Sequence, residues 1–269
     1  MKNSASFTGD IPHHYDQGLG PVIFSWYAEK MAERAAQTKP CRILELAAGT
    51  GIVTEAIDHH VSKDAHLTVT DLNEPMLGIA RQKLRGRKGT DVSVADAQDL
   101  LFPDNTFDSI VCQFGIMFFP DKALAMKEAL RVLKPGGTYH FSVWDSWEKN
   151  VFAEMAHNTI ASFFDGRPPQ FYKIPFGYHD TGEITDLVLS SGFASVDFDC
   201  VPHTSPVNSP LDFSTALIHG NPIGEEIVSM GGNPDAVIRE VHNALRESLE
   251  HQNGLDLQAI FFSAIKSDS

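Results

Sequence analysis

The run Leu44-Glu45-Leu46-Ala47-Ala48-Gly49-Thr50-Gly51 carries an acid on an apolar strand and passes directly into a turn of small residues. RILELA (42–47) reads as a short buried strand, and TGIVTEAIDHHV reads as the helix after it. Glycines at 49 and 51 let the turn adopt positive φ and let the backbone approach a ligand closely. A helix starting there points its free amide N–H groups at whatever the turn holds. A strand, a glycine turn and a helix in this order open a parallel α/β sheet, in which ligands bind beyond the carboxyl ends of the strands.

The pattern repeats along the first half. HLTVTD (66–71), DVSVAD (91–96), TFDSIVCQF (106–114) and TYHFSVW (138–144) read as further strands. Between them, NEPMLGIARQKLRG is a helix with Asn73 as N-cap, Pro75 in its first turn and Gly86 at its end. DKALAMKEALRVL is a helix closed by Lys134-Pro135-Gly136-Gly137. Residues 146–178 are aromatic-rich, with Pro168-Pro169 in their midst. Asp180-Thr181-Gly182-Glu183 is a capping box that opens a helix through Ser191, and SVDFDCV (195–201) is the sixth strand. A Pro/Ser-rich link leads to a helical insert over about 211–252, and LDLQAIFFSAI closes the chain as the seventh strand. The expected fold is α/β: a Rossmann-like, seven-stranded, mostly parallel sheet with helices on both faces. One domain over 1–269 is expected, its core at about 40–145, 181–202 and 254–269. A helical lid comes from about 1–38, 146–180 and 203–253.

Charge narrows the partners. With 35 acids against 21 bases the formal net charge is −14, a field that repels phosphate backbones, so no nucleic acid is expected. The one basic cluster, RQKLRGRKG (81–89), falls at a helix end, where cations suit the dipole. Three widely spaced cysteines, Cys41, Cys112 and Cys200, suggest neither a disulfide framework nor a metal site. They fit a reducing cytoplasm. No secretory signal and no membrane-spanning run is read, and the oligomeric state stays open.

The acid before the turn decides the ligand class. A dinucleotide fold places a third glycine where Thr54 stands, and a carboxylate at Glu45 would repel a pyrophosphate. A carboxylate suits a ligand with an ammonium group and no phosphate, as in S-adenosylmethionine (SAM). Asp71 ends the second strand, where an acid holds ribose hydroxyls, and Asp96 ends the third, where a carboxylate can accept from an adenine amino group. Asp96 also reads as a turn residue, and Met76 reads as core or as adenine wall.

Taken with VTDLNEPML, ADAQDLLFPDNTFDSIVCQFGIMFFPD and LRVLKPGG, the turn LELAAGTG resembles that of class I SAM-dependent methyltransferases, close to the ubiquinone/menaquinone C-methyltransferase-like group. The resemblance covers about 43–137. It implies SAM as cofactor and S-adenosylhomocysteine as its product. It places Glu45, Ala47, Gly49, Thr50 and Gly51 at the methionine part, and Gln113 near the methionine amine. Asp71 then takes the ribose, Leu72 and Met76 lie beside the adenine, and Asp96 and Ala97 meet its edge. Ala47 stands where the family turn commonly has its first glycine.

Methyl transfer from a sulfonium is an in-line displacement, so the protein aligns the reactants and excludes water. The expected acceptor wall is Phe114, Met117, Phe118 and Trp144, with Tyr15 and Tyr27 from the N-terminal segment and Phe176 and His179 from the lid. Such a wall suits an apolar or aromatic small molecule. No catalytic residue is assigned; His179 is the best candidate base, and it reads more readily as a helix-entry residue beside the Asp180 cap. An oxygen acceptor is slightly preferred, with a quinone-type carbon acceptor as the alternative. A NAD-dependent oxidoreductase and a non-catalytic SAM-binding module are the readings of another class.

Overall fold

The computed structural model describes residue 7 and residues 9–166, 168–250 and 253–268. Seven strands form one sheet: β1 (Arg42–Glu45), β2 (His66–Asp71), β3 (Thr90–Val94), β4 (Phe107–Gln113), β5 (Leu133–Trp144), β6 (Ser195–Ser205) and β7 (Leu255–Ile265). Their order is β3-β2-β1-β4-β5-β7-β6. Only β7 runs against its neighbours, pairing antiparallel with both β5 and β6, while β1 to β5 pair in parallel. The strand order reverses between β1 and β4, and the crevice beyond their carboxyl ends is where such a sheet takes a ligand.

Around the sheet lie α1 (Ile11–His14), α2 (Ser25–Ala36), α3 (Ile52–His60), α4 (Glu74–Lys83), α5 (Lys122–Val132), α6 (Val151–Ala161) and α7 (Thr181–Ser190). The last insert folds as α8 (Pro210–His219), α9 (Ile223–Ser229) and α10 (Pro234–Leu249). The sequence pattern holds for all seven strands, with several boundaries moved. β1 stops at Glu45 because the turn begins there, and β3 stops at Val94, so Asp96 lies past the strand. The Lys134–Gly137 stretch is no helix cap: β5 starts at Leu133, and its pairing with β4 shifts register between Phe107 and Ser109. The carbonyls of Leu130 and Leu133 at the end of α5 instead accept from Lys266 Nζ at 2.8 and 2.7 Å. β6 runs to Ser205 because it pairs with β7 over its whole length. The Asp180 cap forms as expected, accepting from the amides of Gly182 and Glu183. Asn73 precedes α4 without capping it, because its side chain bonds to Asp71 and to the amide of Phe7. Three residues of the basic cluster form ion pairs within the fold: Arg81 with Glu74, Arg87 with Asp58, and Lys83 with Asp16 and Glu55.

Between α1 and α2 the chain forms a π-helical segment, Tyr15–Phe24, with Pro21 inside it. Proline has no N–H to donate, so regular α-helical bonding is interrupted there. Two glycines seat this segment. A Cβ on Gly18 would lie 2.3 Å from Ala216 Cβ on α8, and one on Gly20 would lie 3.2 Å from Ile52 Cδ1 on α3. Gly18→Val is therefore expected to push the segment off α8 and lower stability by about 1–3 kcal/mol. Urea unfolding of the two proteins checks this, and an unchanged midpoint would contradict the packing described.

Candidate active site

The turn after β1 is tightly wound. Ala47, Gly49 and Gly51 all take positive φ, at 52°, 57° and 80°. An L-residue in this conformation is strained by about 1–2 kcal/mol, and the Ala47 methyl finds room there because a glycine faces it. A Cβ added to Gly115, in the turn after β4, would lie 2.5 Å from Ala47 Cβ and 2.8 Å from Cys112 Sγ. The alanine in the glycine turn thus depends on the glycine opposite. Gly115→Ala is expected to cost about 1–3 kcal/mol, read from thermal unfolding, and to disturb the turn with it.

Asp71 holds the turn to the end of β2. Its Oδ2 accepts from the Gly49 amide at 2.9 Å, and its Oδ1 accepts from the Asn73 amide at 2.7 Å. It is 7% exposed, and burial raises its pKa against the pull of these bonds. Glu45 lies deeper, accepting from Thr54 Oγ1 at 2.5 Å. Burial first, then the charge of Asp71, pushes its pKa up to about 8, although the Thr54 bond works the other way. Asp96 accepts from the Gln98 amide at 2.9 Å.

A cavity of about 260 Å³ opens over this end of the sheet. Its polar end is lined by Ala47, Gly49, Asp71, Leu72, Met76, Asp96, Ala97 and Gln113. A smaller cavity adjoins it across Tyr15, Phe24, Ala47, Gln113 and Phe114, and there Glu45 and Thr50 form the wall. Gly51 lines neither. It starts α3 in a left-handed conformation, close against Ala80. Two buried oxygens at this junction, Thr50 Oγ1 and Gln113 Oε1, have no hydrogen-bond partner among the described residues. Orphaned buried acceptors are costly, and they mark a place where a polar ligand completes the bonding.

The other end of the cavity is aromatic. Tyr15, Phe114, Met117, Phe118, Trp144 and Phe176 all line it. Phe114 and Trp144 stack at 4.0 Å, and Phe176 stacks on Trp144 at 5.8 Å. Phe114 reaches this position through a φ of 53°, rare for an aromatic residue. Two expected residues lie elsewhere. Tyr27 is fully buried behind Phe114 and Trp144, its hydroxyl donating to the carbonyl of Val201, so it belongs to the core. His179 is outside the cavity wall, its Nδ1 bonded to the carbonyl of Phe176 at 3.0 Å, and its place at the entry to α7 is the structural one. The sequence reading missed Phe24, which stacks on Tyr15 at 4.7 Å and whose carbonyl accepts from Gln113. It also missed Phe152, Phe171, Tyr172, Leu217 and Asn221 from the inserts. No histidine, lysine or arginine lines the cavity among the described residues, and no cluster of metal-ligating side chains occurs among them.

This sheet order, with an acid-held glycine turn at its switch point, is the architecture of class I SAM-dependent methyltransferases, and solved structures agree. The YcgJ protein from Bacillus subtilis superposes with a TM-score of 0.59 at 19% identity, covering 91% of this chain and 100% of its own. Phosphoethanolamine N-methyltransferase 2 from Haemonchus contortus, solved with SAM, gives 0.60 at 18% identity, covering 95% of this chain and 56% of its own. At these identities the likeness is one of fold. The family follows from sequence. The ubiE/COQ5 methyltransferase family matches residues 19–162, and the chain belongs to that family. Among its relatives is the ubiquinone/menaquinone biosynthesis C-methyltransferase UbiE of Idiomarina loihiensis, 32% identical over 58% of this chain and 68% of the relative. The enzyme of the same name from Saccharophagus degradans is 46% identical, over 36% of this chain and 40% of the relative. The matched region thus spans less than half of the second relative's length. The nicotinamide-dependent reading is set aside by the family.

Proposed function

We propose that the protein transfers a methyl group from SAM to a small, neutral, largely apolar ring compound, at a ring carbon activated by a neighbouring hydroxyl. The observation that carries this reading is the two-ended cavity, acidic and orphan-lined at one end and aromatic at the other. The polar end suits SAM. In this reading Asp71 takes the ribose, Asp96 and Ala97 meet the adenine edge, and the oxygens of Thr50 and Gln113 that lack a partner among the described residues accept from the ammonium; their position on the cavity wall supports it. When bound, SAM supplies an electrophilic methyl on a sulfonium that leaves as a neutral thioether.

What remains for this chain is to orient the acceptor and keep water out. The stacked Phe114 and Trp144 present a flat apolar face, and Tyr15 and Phe24 of the N-terminal segment add to the wall. Among the described residues the lining holds carboxylates and no basic side chain, which disfavours anionic acceptors such as carboxylates and phosphates. Among the described residues it also holds no histidine or lysine to take a proton from an amine or alcohol. A carbon beside a phenolic or quinol hydroxyl is made nucleophilic by that hydroxyl and needs no base before attack. As the new C–CH3 bond forms the S–CH3 bond breaks, and the displaced ring proton is lost to solvent afterwards, when the ring regains its aromaticity. The slight preference for oxygen drawn from sequence finds no support here, and the C-methyltransferase names of the relatives favour carbon. No helix among the described residues is long and apolar enough to cross a membrane.

The test is incubation with SAM carrying a ¹³C-methyl and a panel of quinols, phenols, carboxylic acids and amines, with the product read by NMR. A label on a ring carbon of a quinol or phenol is expected. A label found only on oxygen or nitrogen would contradict the reading.

A further inference from the structure

Two residues past Asp96, on the turn that follows β3, Gln98 also lines the cavity. Its side chain is held at both ends. Gln98 Oε1 accepts from the backbone amide of Asp121 at 2.8 Å. A backbone N–H can only donate, so this contact fixes the side-chain amide and turns Nε2 toward Asp96. There Nε2 donates to Asp96 Oδ1 at 3.1 Å, and the Gln98 backbone amide donates to the same oxygen at 2.9 Å. Oδ2 keeps only a long contact with Nε2, at 3.4 Å, and no other donor among the described residues reaches it. The far anchor is a helix end: Asp121 caps α5, its side chain accepting from the Leu124 amide at 2.9 Å. A turn at Asp96 by itself needs only the Gln98 backbone amide on Oδ1. The side-chain link to Asp121, 23 residues further along the chain, is additional.

From this geometry we infer that Gln98 is a positioning residue for the adenine end of the cofactor: it engages one oxygen of Asp96 and leaves the other as a fixed acceptor for the 6-amino group. The inference rests on the proposed methyltransferase reading and extends it to a residue that acts through another. A carboxylate without such partners rotates about its Cβ–Cγ bond and shares its lone pairs with water. Two donors on Oδ1 oppose that rotation, so the acceptor is ordered before the ligand arrives and the ordering cost does not fall on binding. An aliphatic side chain at position 98 would release the carboxylate. A carboxylate there would still accept from the Asp121 amide but would set charge against charge at Asp96. Both substitutions leave Asp96 in the chain and remove only what orients it.

Calorimetric titration with S-adenosylhomocysteine and with its purine analogue, which lacks the 6-amino group, tests this. The wild type is expected to bind S-adenosylhomocysteine at least about tenfold more tightly than the analogue, the effect of one hydrogen bond to a carboxylate. In Gln98→Met that preference is expected to fall to about threefold or less, through weaker binding of S-adenosylhomocysteine, while the analogue binds within about twofold of wild type. Gln98→Glu, assayed at about pH 8 where its carboxyl is ionised, is expected to behave likewise. A merely structural role would weaken both ligands alike, and that result overturns the inference, as do folded variants that keep the wild-type preference. A wild type that binds both ligands equally overturns it too, because Asp96 then takes no bond from the amine. A wild type that binds no S-adenosylhomocysteine overturns the functional reading and this inference with it. Where one variant does not fold, the other variant and the wild-type comparison still decide.

Discussion

Asp71→Ala is expected to weaken SAM binding by roughly a hundredfold or more, about 3 kcal/mol, as measured by calorimetry on folded protein. Two losses combine. The carboxylate proposed to take the ribose goes, and so does the acceptor that holds the Gly49 amide at 2.9 Å and with it the shape of the turn. Hydrogen bonds to a charged group contribute about 1.5–3 kcal/mol each. Asp71→Asn is not expected to rescue binding, because an amide nitrogen placed toward either backbone N–H at 49 or 73 would set donor against donor. Circular dichroism and thermal unfolding separate loss of the site from loss of the fold. An Asp71→Ala protein that binds within about threefold of wild type would remove this carboxylate from the cofactor site.

Glu45 gives the second large effect, in the pH dependence. Its folded pKa, about 8, lies above the ordinary carboxylate value of 4.5. The folded state therefore holds this proton more tightly than the unfolded state does. The stability tied to the neutral acid is complete below the unfolded pKa, falls as pH rises, and is gone above the folded pKa. Between about pH 5 and 8 the wild type should lose on the order of 3–4 kcal/mol relative to Glu45→Gln, which cannot ionise. Denaturant unfolding of both proteins across this range reads the difference directly, since other titrating groups cancel between them. Cofactor binding is coupled to the same proton. An ammonium brought to the small cavity lined by Glu45 and Thr50 favours the carboxylate, so SAM binding should release a proton and tighten as pH rises toward 8. Glu45→Gln should flatten that slope. Parallel stability curves for the two proteins would show that Glu45 is ionised at neutral pH.

The sheet was legible because its signals are local. Apolar runs at strand length, helices with caps between them and acids at strand ends each need only a few neighbouring residues to be read, and Glu45, Asp71 and Asp96 fall where that logic puts them or just past a strand end. The KPGG stretch misled because glycine and proline mark a helix stop and an irregular strand start equally well, and the partner that decides, Lys266, is at the far end of the chain. The acceptor end was legible only in part. Tyr27 and Tyr15 both belong to the N-terminal helical run, and which of them faces the cavity depends on the helical phase across a π-helical segment that hydrophobic patterning does not register. Phe114 enters through a positive φ that favours glycine, so nothing in its identity announces it. Phe152, Tyr172 and Asn221 come from inserts whose only common feature is the space they enclose. His179 looked chemical by residue type, and its bond to the carbonyl of Phe176 shows a loop contact instead.

The most direct measurement is diffraction from crystals soaked with S-adenosylhomocysteine. The account predicts density with the ribose against Asp71, the adenine against Asp96 and Ala97, and the amino-acid end reaching Thr50 and Gln113, leaving the box of Phe114, Trp144 and Phe176 open for an acceptor. Density that fills the aromatic box instead, or that turns the ribose away from Asp71, would contradict the division of this cavity into a cofactor end and an acceptor end.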